Sequence, residues 1–317
     1  MTDTLTPEKQ SPPSTDRPPN SFSDRLFAGL ALAAGITIMV ALAGVFVFLA
    51  IEGAPGLSVD PSFYEPATTF AGYVWPLVWG TTLAALIALV FAVPFAIGLA
   101  LFVSHYAPRR LATPVAYLID LLAAIPSVVF GLWGGGVLNR YMVPIQDWLY
   151  AHFSWIPFFA GPPSATGRTM LTAGVVLAIM VLPITTAICR EVFARTPRLN
   201  EEAALALGAT RWEMIRTAVF PYSRSGMISA VMLGLGRALG ETMAVAMVLS
   251  ASPIVTLNII SSSNPATIAS NIASNYKEAT PDKQAVLIAT GLVLFAFTFA
   301  VNFVARWVAG RSDRRMA

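Results

Sequence analysis

The sequence predicts an all-α integral membrane protein of six transmembrane helices with both termini in the cytoplasm. Composition is the first observation behind this. Hydrophobic residues make up 56% of the 317-residue chain and charged residues only 12%, against roughly 45–50% and about 25% in soluble domains. With a mean hydropathy of +0.67, there is too little charge to solvate a globular surface of this size. The second observation is length. Apolar stretches at 26–51, 76–103, 112–138, 169–190, 227–251 and 284–306 can each supply the roughly 20 helical residues that a hydrocarbon core requires. The third is the distribution of basic residues. With the N-terminus inside, fifteen lysines and arginines fall in cytoplasmic segments, while the outer loops hold only Arg140, Arg168, Lys277 and Lys283. That bias sets the orientation, and the slight net positive charge of +3 reports topology rather than nucleic-acid binding.

Along the chain, residues 1–25 read as a disordered cytoplasmic tail, because they are rich in Pro, Ser and Thr and nearly devoid of apolar side chains. Residues 26–71 carry the first span and an outer loop. That span is too long for a signal-peptide core and has no basic segment directly before it, so it reads as retained. Residues 72–308 hold the remaining spans, and 309–317 form a short cytoplasmic tail. The outer segment 139–168 is rich in aromatics, Pro and Gly. Its Trp148, Tyr150 and Trp155 suit an interfacial re-entrant or surface helix at the headgroup level.

Several chemistries are excluded. The single cysteine, Cys189, allows no disulfide framework or Cys-rich metal site. Two histidines, His105 and His152, supply no zinc centre. None of Lys9, Lys277 and Lys283 sits in GxxxxGK[ST], so the chain has no phosphate-binding P-loop. The spans contain no histidine and no paired carboxylates, which argues against a membrane-embedded enzyme.

The fourth loop, TPRLNEEAALALGATRWEMIRTAVFPYSRSG, predicts a helical hairpin. Thr196 and Pro197 read as N-cap and first residue of a helix, and Gly208 as its stop. Thr210-Arg211-Trp212-Glu213 reads as a capping box opening a second short helix, which Pro221 would end. Glu201, Glu202 and Glu213 offset the arginines and count against DNA binding. A docking knob and a plain connector both remain open on spacing.

Three ionisable residues fall inside expected spans: Asp120 in the third, and Arg237 and Glu241 in the fifth. Each costs about 2.5–3.5 kcal/mol on insertion scales and so needs a reason. Four residues apart on a helix, Arg237 and Glu241 would share a face and could pair. Ala230 and Gly234, with the Gly236–Gly240 GxxxG, would let another helix approach closely. Two readings follow: a self-neutralised pair that fixes packing, or an arginine lining a passage for an oxyanion, whose oxygens its fork matches. Thr242 adds a hydroxyl, for which a bond to its own helix backbone is the expectation and a place on the passage the alternative. Pro94, Pro126 and Pro183 could kink spans, although Pro is common in membrane helices.

Glu202-Ala203-Ala204 followed by Gly208 resembles the EAA loop of ABC-importer permeases, EAA-x3-G-x9-I-x-L-P. Pro221 stands at its last position, with Ala218 and Phe220 where Ile and Leu are usual. GRALGETMAVAMV, with IPSVVFGLWG at 125–134, FFAGPPS at 158–164, LTAGVVLAIMVLPI at 171–184 and EAALALGATRWE at 202–213, resembles the permeases of the bacterial phosphate-specific ABC transporter. The likeness runs from about residue 70 to the C-terminus. The GETMAV ending and the GPPS loop favour the PstC type over its PstA-type sister. The resemblance implies a type I ABC importer permease fold in the bacterial inner membrane. It implies Arg237, Glu241, Asp120 and Thr242 along the phosphate path, and Glu202, Ala203, Ala204, Gly208 and Pro221 in the loop that couples to the ATPase. It also implies a PstA-like second permease, two PstB-like ATP-binding subunits and a PstS-like external phosphate-binding protein. The chain would bind no cofactor, ATP being used by the partner subunit. A permease for sulfate or molybdate would share the loop and the arginine.

Overall fold

The computed structural model describes residues 22–313; the tail expected over 1–25 lies outside them up to residue 21, as do residues 314–317 of the C-terminal tail. The chain divides into two units, Met1–Phe48 and Leu49–Ala317. The first holds most of α1 (Phe22–Gly53). Its apolar side chains, Leu30, Ile38 and Met39 among them, are exposed. A helix apolar on every face is the form that lipid solvates.

In the second unit, α2 (Phe70–Leu101) is followed by α3 (Arg109–Ala123), α4 (Ser127–Trp133) and α5 (Asn139–Phe153). Then come α6 (Met170–Ala194), α7 (Arg198–Ala206), α8 (Arg211–Met214) and α9 (Phe220–Gly240). Short α10 (Met243–Val248) and α11 (Ile268–Asn275) precede α12 (Pro281–Asp313). No strand forms among the described residues.

Helix α6 is the centre of the unit. Its neighbour α2 offers a ladder of small residues, Ala84, Ala88, Ala92, Ala96 and Ala100, all buried. Spacing by four puts them on one face, so backbones can approach where no hydrophobic effect drives helices together. Gly174 and Gly234 do the same. A Cβ at Gly174 would meet Ile87 of α2 at 2.3 Å, and one at Gly234 would meet Val181 of α6 at 2.6 Å. The chain after α1 packs on α12 in the same way, with a Cβ at Gly56 lying 2.4 Å from the backbone of Ala285.

Two of the six expected spans are corrected. The stretch 112–138 is not one helix: α3 and the Ser127–Phe153 run meet at 91°. Pro126 sits at the corner, where it disfavours helical geometry at Ile125. Residues 139–153, expected in an outer loop, continue the helix as α5 and carry Trp148 and Tyr150. The stretch 227–251 is likewise broken, because α9 ends at Gly240 and Glu241 is extended (φ −69°, ψ 128°) before α10 begins. Four helices are therefore long and apolar enough to cross a membrane, with the bent pair as a fifth, among the described residues. Pro94 and Pro183 lie inside unbroken helices.

The hairpin forms as expected at its turn. Gly208 is left-handed (φ +85°). Its N–H bonds Leu205 O, and that of Ala209 bonds Ala204 O, the paired closure of a Schellman end. The Thr210–Glu213 capping box is complete. Hydrogen bonds from the Thr210 N–H and then its hydroxyl hold the Glu213 carboxyl below its ordinary range. The stabilisation is full above the ordinary carboxylate pKa and is lost as pH falls through the lowered one.

The hairpin's two ends depart from expectation. Thr196 does not cap α7; its hydroxyl lies 3.3 Å from that of Ser223, and Pro197 takes the cap position. Pro221 does not end the second helix. A π-turn at Ile215–Val219 widens the backbone just before it, and the helix runs on into α9. The wider turn absorbs the hydrogen bond that proline cannot donate.

Candidate functional site

The site grows from α9, whose two faces have different tasks. Gly226, Ala230 and Gly234 recur every fourth residue; Ala230 is fully buried, and Gly226 and Gly234 close on Val192 and Val181 of α6. The expected GxxxG does not serve packing within the chain, since nothing lies within 4 Å of a Cβ at Gly236 or Gly240. Those glycines sit on the other side of the helix, and Gly236 opens onto a cavity of about 810 Å³.

This cavity lies between α6, α9 and α12. Arg237, Ser229 and Gly236 line it from α9, Asn302 and Arg306 from α12, and Ile184 from α6. No carboxylate among the described residues lines it. The Nε of Arg237 is buried and lacks a hydrogen-bond partner among the described residues. A buried donor left unpaired costs roughly 1–3 kcal/mol, more when charged. Such a group at the wall of a cavity is a position prepared for an acceptor.

The pairing expected between Arg237 and Glu241 does not form, and the helix break is the reason. Beyond Gly240 the chain leaves the helical path, so the i, i+4 relation is lost. The buried Glu241 carboxylate instead accepts the Ala244 N–H at 3.1 Å, satisfying one of the free donors at the start of α10. Thr242 stands in the break as the cap residue of α10. Its side chain makes no capping bond, contrary to the expected self-bond.

Asp120 is exposed on α3 and pairs at 3.4 Å with Arg190, near the arginine-rich end of α6. The corner at Pro126 sets this, because α3 lies across the direction of the run that follows. Asp120 is not among the residues that line the Arg237 cavity.

At the other end of α9, the hairpin presents Glu202 and Ala203 to solvent, with Leu199 and Leu207 beside them. Leu207 is 90% exposed, a side chain that needs a partner to be covered. A groove of about 560 Å³ joins Ala203, Ala204, Leu207 and Pro221. Beneath, Met214, Ile215 and Val219 bury against Ala100 and Leu101 of α2 and Cys189 and Phe193 of α6. His105 reaches Glu201 of α7 at 3.8 Å and Ser104 at 2.7 Å, a link from the end of α2 to the hairpin that sequence reading missed. Since α8, the π-turn and α9 form one helical run, the hairpin is joined without interruption to the helix that carries Arg237.

Comparisons with known proteins agree with this anatomy. The family described as "Binding-protein-dependent transport system inner membrane component" matches residues 92–317. The Mycobacterium tuberculosis phosphate transport system permease protein PstC 2 is 44% identical over 94% of this chain and 95% of its own. The Xylella fastidiosa phosphate transport system permease protein PstC is 39% identical over 99% of both. In fold, the chain is similar to the crystal structure of a bacterial ABC transporter involved in the import of the acidic polysaccharide alginate. That likeness has a TM-score of 0.53 at 17% identity and covers 91% of this chain and 96% of the other.

Proposed function

The chain belongs to the binding-protein-dependent transport inner membrane components, within their PstC phosphate permeases, and from that premise we propose how it moves its substrate. It is a multi-pass inner-membrane permease subunit of a phosphate ABC importer with the type I permease fold. It is a transport component rather than an enzyme, and it works in a complex with ATPase and binding-protein partners. In our reading these are a PstA-like permease, two PstB-like ATP-binding subunits and a PstS-like phosphate-binding protein. The chain itself holds no cofactor.

The observation that carries the pathway is the buried Nε of Arg237, without a partner among the described residues, on a cavity that no described carboxylate lines. A guanidinium there lowers the electrostatic barrier to an oxyanion and offers it a two-pronged contact. Glu241, one residue past the end of α9, positions the α9–α10 break and keeps negative charge near the cavity's upper end. A lone fixed cation would hold phosphate too tightly, and conduction needs sites weak enough to leave. Thr242, with its hydroxyl uncommitted, borders the same break. Asp120, held by Arg190, serves at the edge of the pathway rather than in it.

Coupling uses the continuous run from Arg211 to Gly240. ATP binding closes the ATPase subunits on the hairpin, where Glu202 and Ala203 face outward, Ala204 anchors the helix to the core beneath and Gly208 shapes the turn. Movement of the hairpin past Pro221 then displaces α9 as a rod, turning the Arg237 cavity between the two sides of the membrane.

Two experiments bear on this reading. Uptake of labelled phosphate by the assembled complex in vesicles should resist a tenfold excess, roughly, of sulfate or molybdate, since each binds less well than the cognate anion in a site built for one. Equal competition by sulfate would assign the passage to another oxyanion. Glu241→Gln retains an acceptor oxygen for the Ala244 N–H, so assembly should be preserved. Its maximal uptake rate should change by about threefold or more, the scale of one weak charge interaction. Wild-type turnover in that variant would remove Glu241 from the pathway.

A further inference from the structure

We propose that Arg306 is a second anion site of the passage, receiving phosphate from Arg237 on the arginine-rich side of the membrane; this rests on the phosphate reading above. By sequence, Arg306 is one of the basic residues that set topology. The fold gives it a further position. It lines the same cavity as Arg237, although the two are 69 residues apart (306 − 237).

The lining has an order. On α9, Ser229, Leu233 and Arg237 recur every fourth residue and so share one face. Ser229 is eight residues nearer the hairpin than Arg237, about 12 Å at 1.5 Å per residue. On α12, Asn302 and Arg306 are again four apart, with Arg306 nearer the arginine-rich C-terminal end. With the arginine-rich hairpin and C-terminal end both on the inner side, as the charge bias sets them, Arg306 stands on the inner side of Arg237. Asn302 spends one N–H on Thr298 O at 3.0 Å and keeps a second.

Charge argues the same way. Two guanidinium groups share a wall on which no described carboxylate stands, and neither forms an ion pair with a described residue. An anion between them relieves that repulsion. Two weak sites in series also pass an ion more readily than one strong site.

The test is uptake of radiolabelled inorganic phosphate by the assembled complex in vesicles. Wild type, Arg306→Gln, Arg306→Lys and Arg237→Gln are compared, with assembly checked by co-purification. Arg306→Gln should lower the maximal rate about 10–100-fold, the scale of one charge-assisted hydrogen bond, while the apparent KM, set by external capture, stays unchanged. Arg306→Lys keeps the charge and should retain at least about half the rate. A normal rate in Arg306→Gln, with uptake lost in Arg237→Gln, overturns the second site and leaves the passage standing. A wild-type complex that takes up no phosphate overturns instead the reading on which it rests. Should Arg306→Gln fail to assemble, Asn302→Asp decides. It places a carboxylate between the two arginines without removing a cation, and should cut uptake about tenfold by closing the site with an ion pair. A wild-type rate in that variant overturns the proposal.

Discussion

Arg237→Gln is expected to reduce phosphate uptake by about 10–100-fold while the complex still assembles and hydrolyses ATP. The magnitude follows from the interaction with the anion that the substitution removes. A charge-assisted hydrogen bond contributes roughly 1.5–3 kcal/mol, and each 1.36 kcal/mol of barrier is a factor of about ten in rate. Glutamine is shorter and uncharged, so the cavity keeps its polarity and loses its attraction for the anion. Folding should tolerate the change. Arg237 forms no ion pair with a described residue, and its Nε forms no hydrogen bond with one. Helix α9 meets α6 through the close contacts of Gly226 with Val192 and of Gly234 with Val181, which the substitution leaves in place. Uptake in vesicles, with co-purification of the partners, checks it. Unchanged uptake would make Arg237 a packing residue.

Gly208→Val should uncouple ATP hydrolysis from transport. Gly208 holds φ +85°, a region that costs an L-residue about 1–2 kcal/mol and a β-branched one more. Its left-handed turn lets Gly208 and Ala209 close the end of α7 on Leu205 and Ala204. Without that turn, α7 and α8 lose their mutual angle, and Glu202 and Ala203 no longer meet the ATPase together. Nothing lies within 4 Å of the added Cβ, so the defect stays local and the membrane helices should fold. Measured side by side, ATP hydrolysis should persist at its basal rate while uptake falls about tenfold or more, as expected when a required conformational step is lost. Parallel retention of both would show that the turn is not the coupling element.

What the sequence made legible was local. The capping box of Thr210 and Glu213 and the stop at Gly208 depend on residues within a few positions, and both stand in the fold. The all-helical membrane class also follows directly from composition. Breaks inside apolar stretches were not legible, because a hydropathy average runs across Pro126 and Glu241 without registering them. Gly240 followed by Thr242, a helix stop beside a cap residue, was the available signal for the second break. Other features needed tertiary contacts. The pairing of Asp120 depends on α3 reaching Arg190, and the role of Gly236 depends on which face of α9 meets α6. Arg306 joins the cavity only because α12 packs back against α9. No spacing within one segment encodes that.

The central claim is that phosphate passes through the cavity beside Arg237, and Gly236→Cys tests it directly. A side chain at that position meets open space, and the natural thiol, Cys189, is fully buried and so shielded from reagent. In vesicles of the assembled complex, a small charged thiol reagent should modify Gly236→Cys and block uptake. Phosphate supplied with its binding protein and ATP should slow that modification. Full modification with undiminished uptake would contradict the account and put the passage elsewhere.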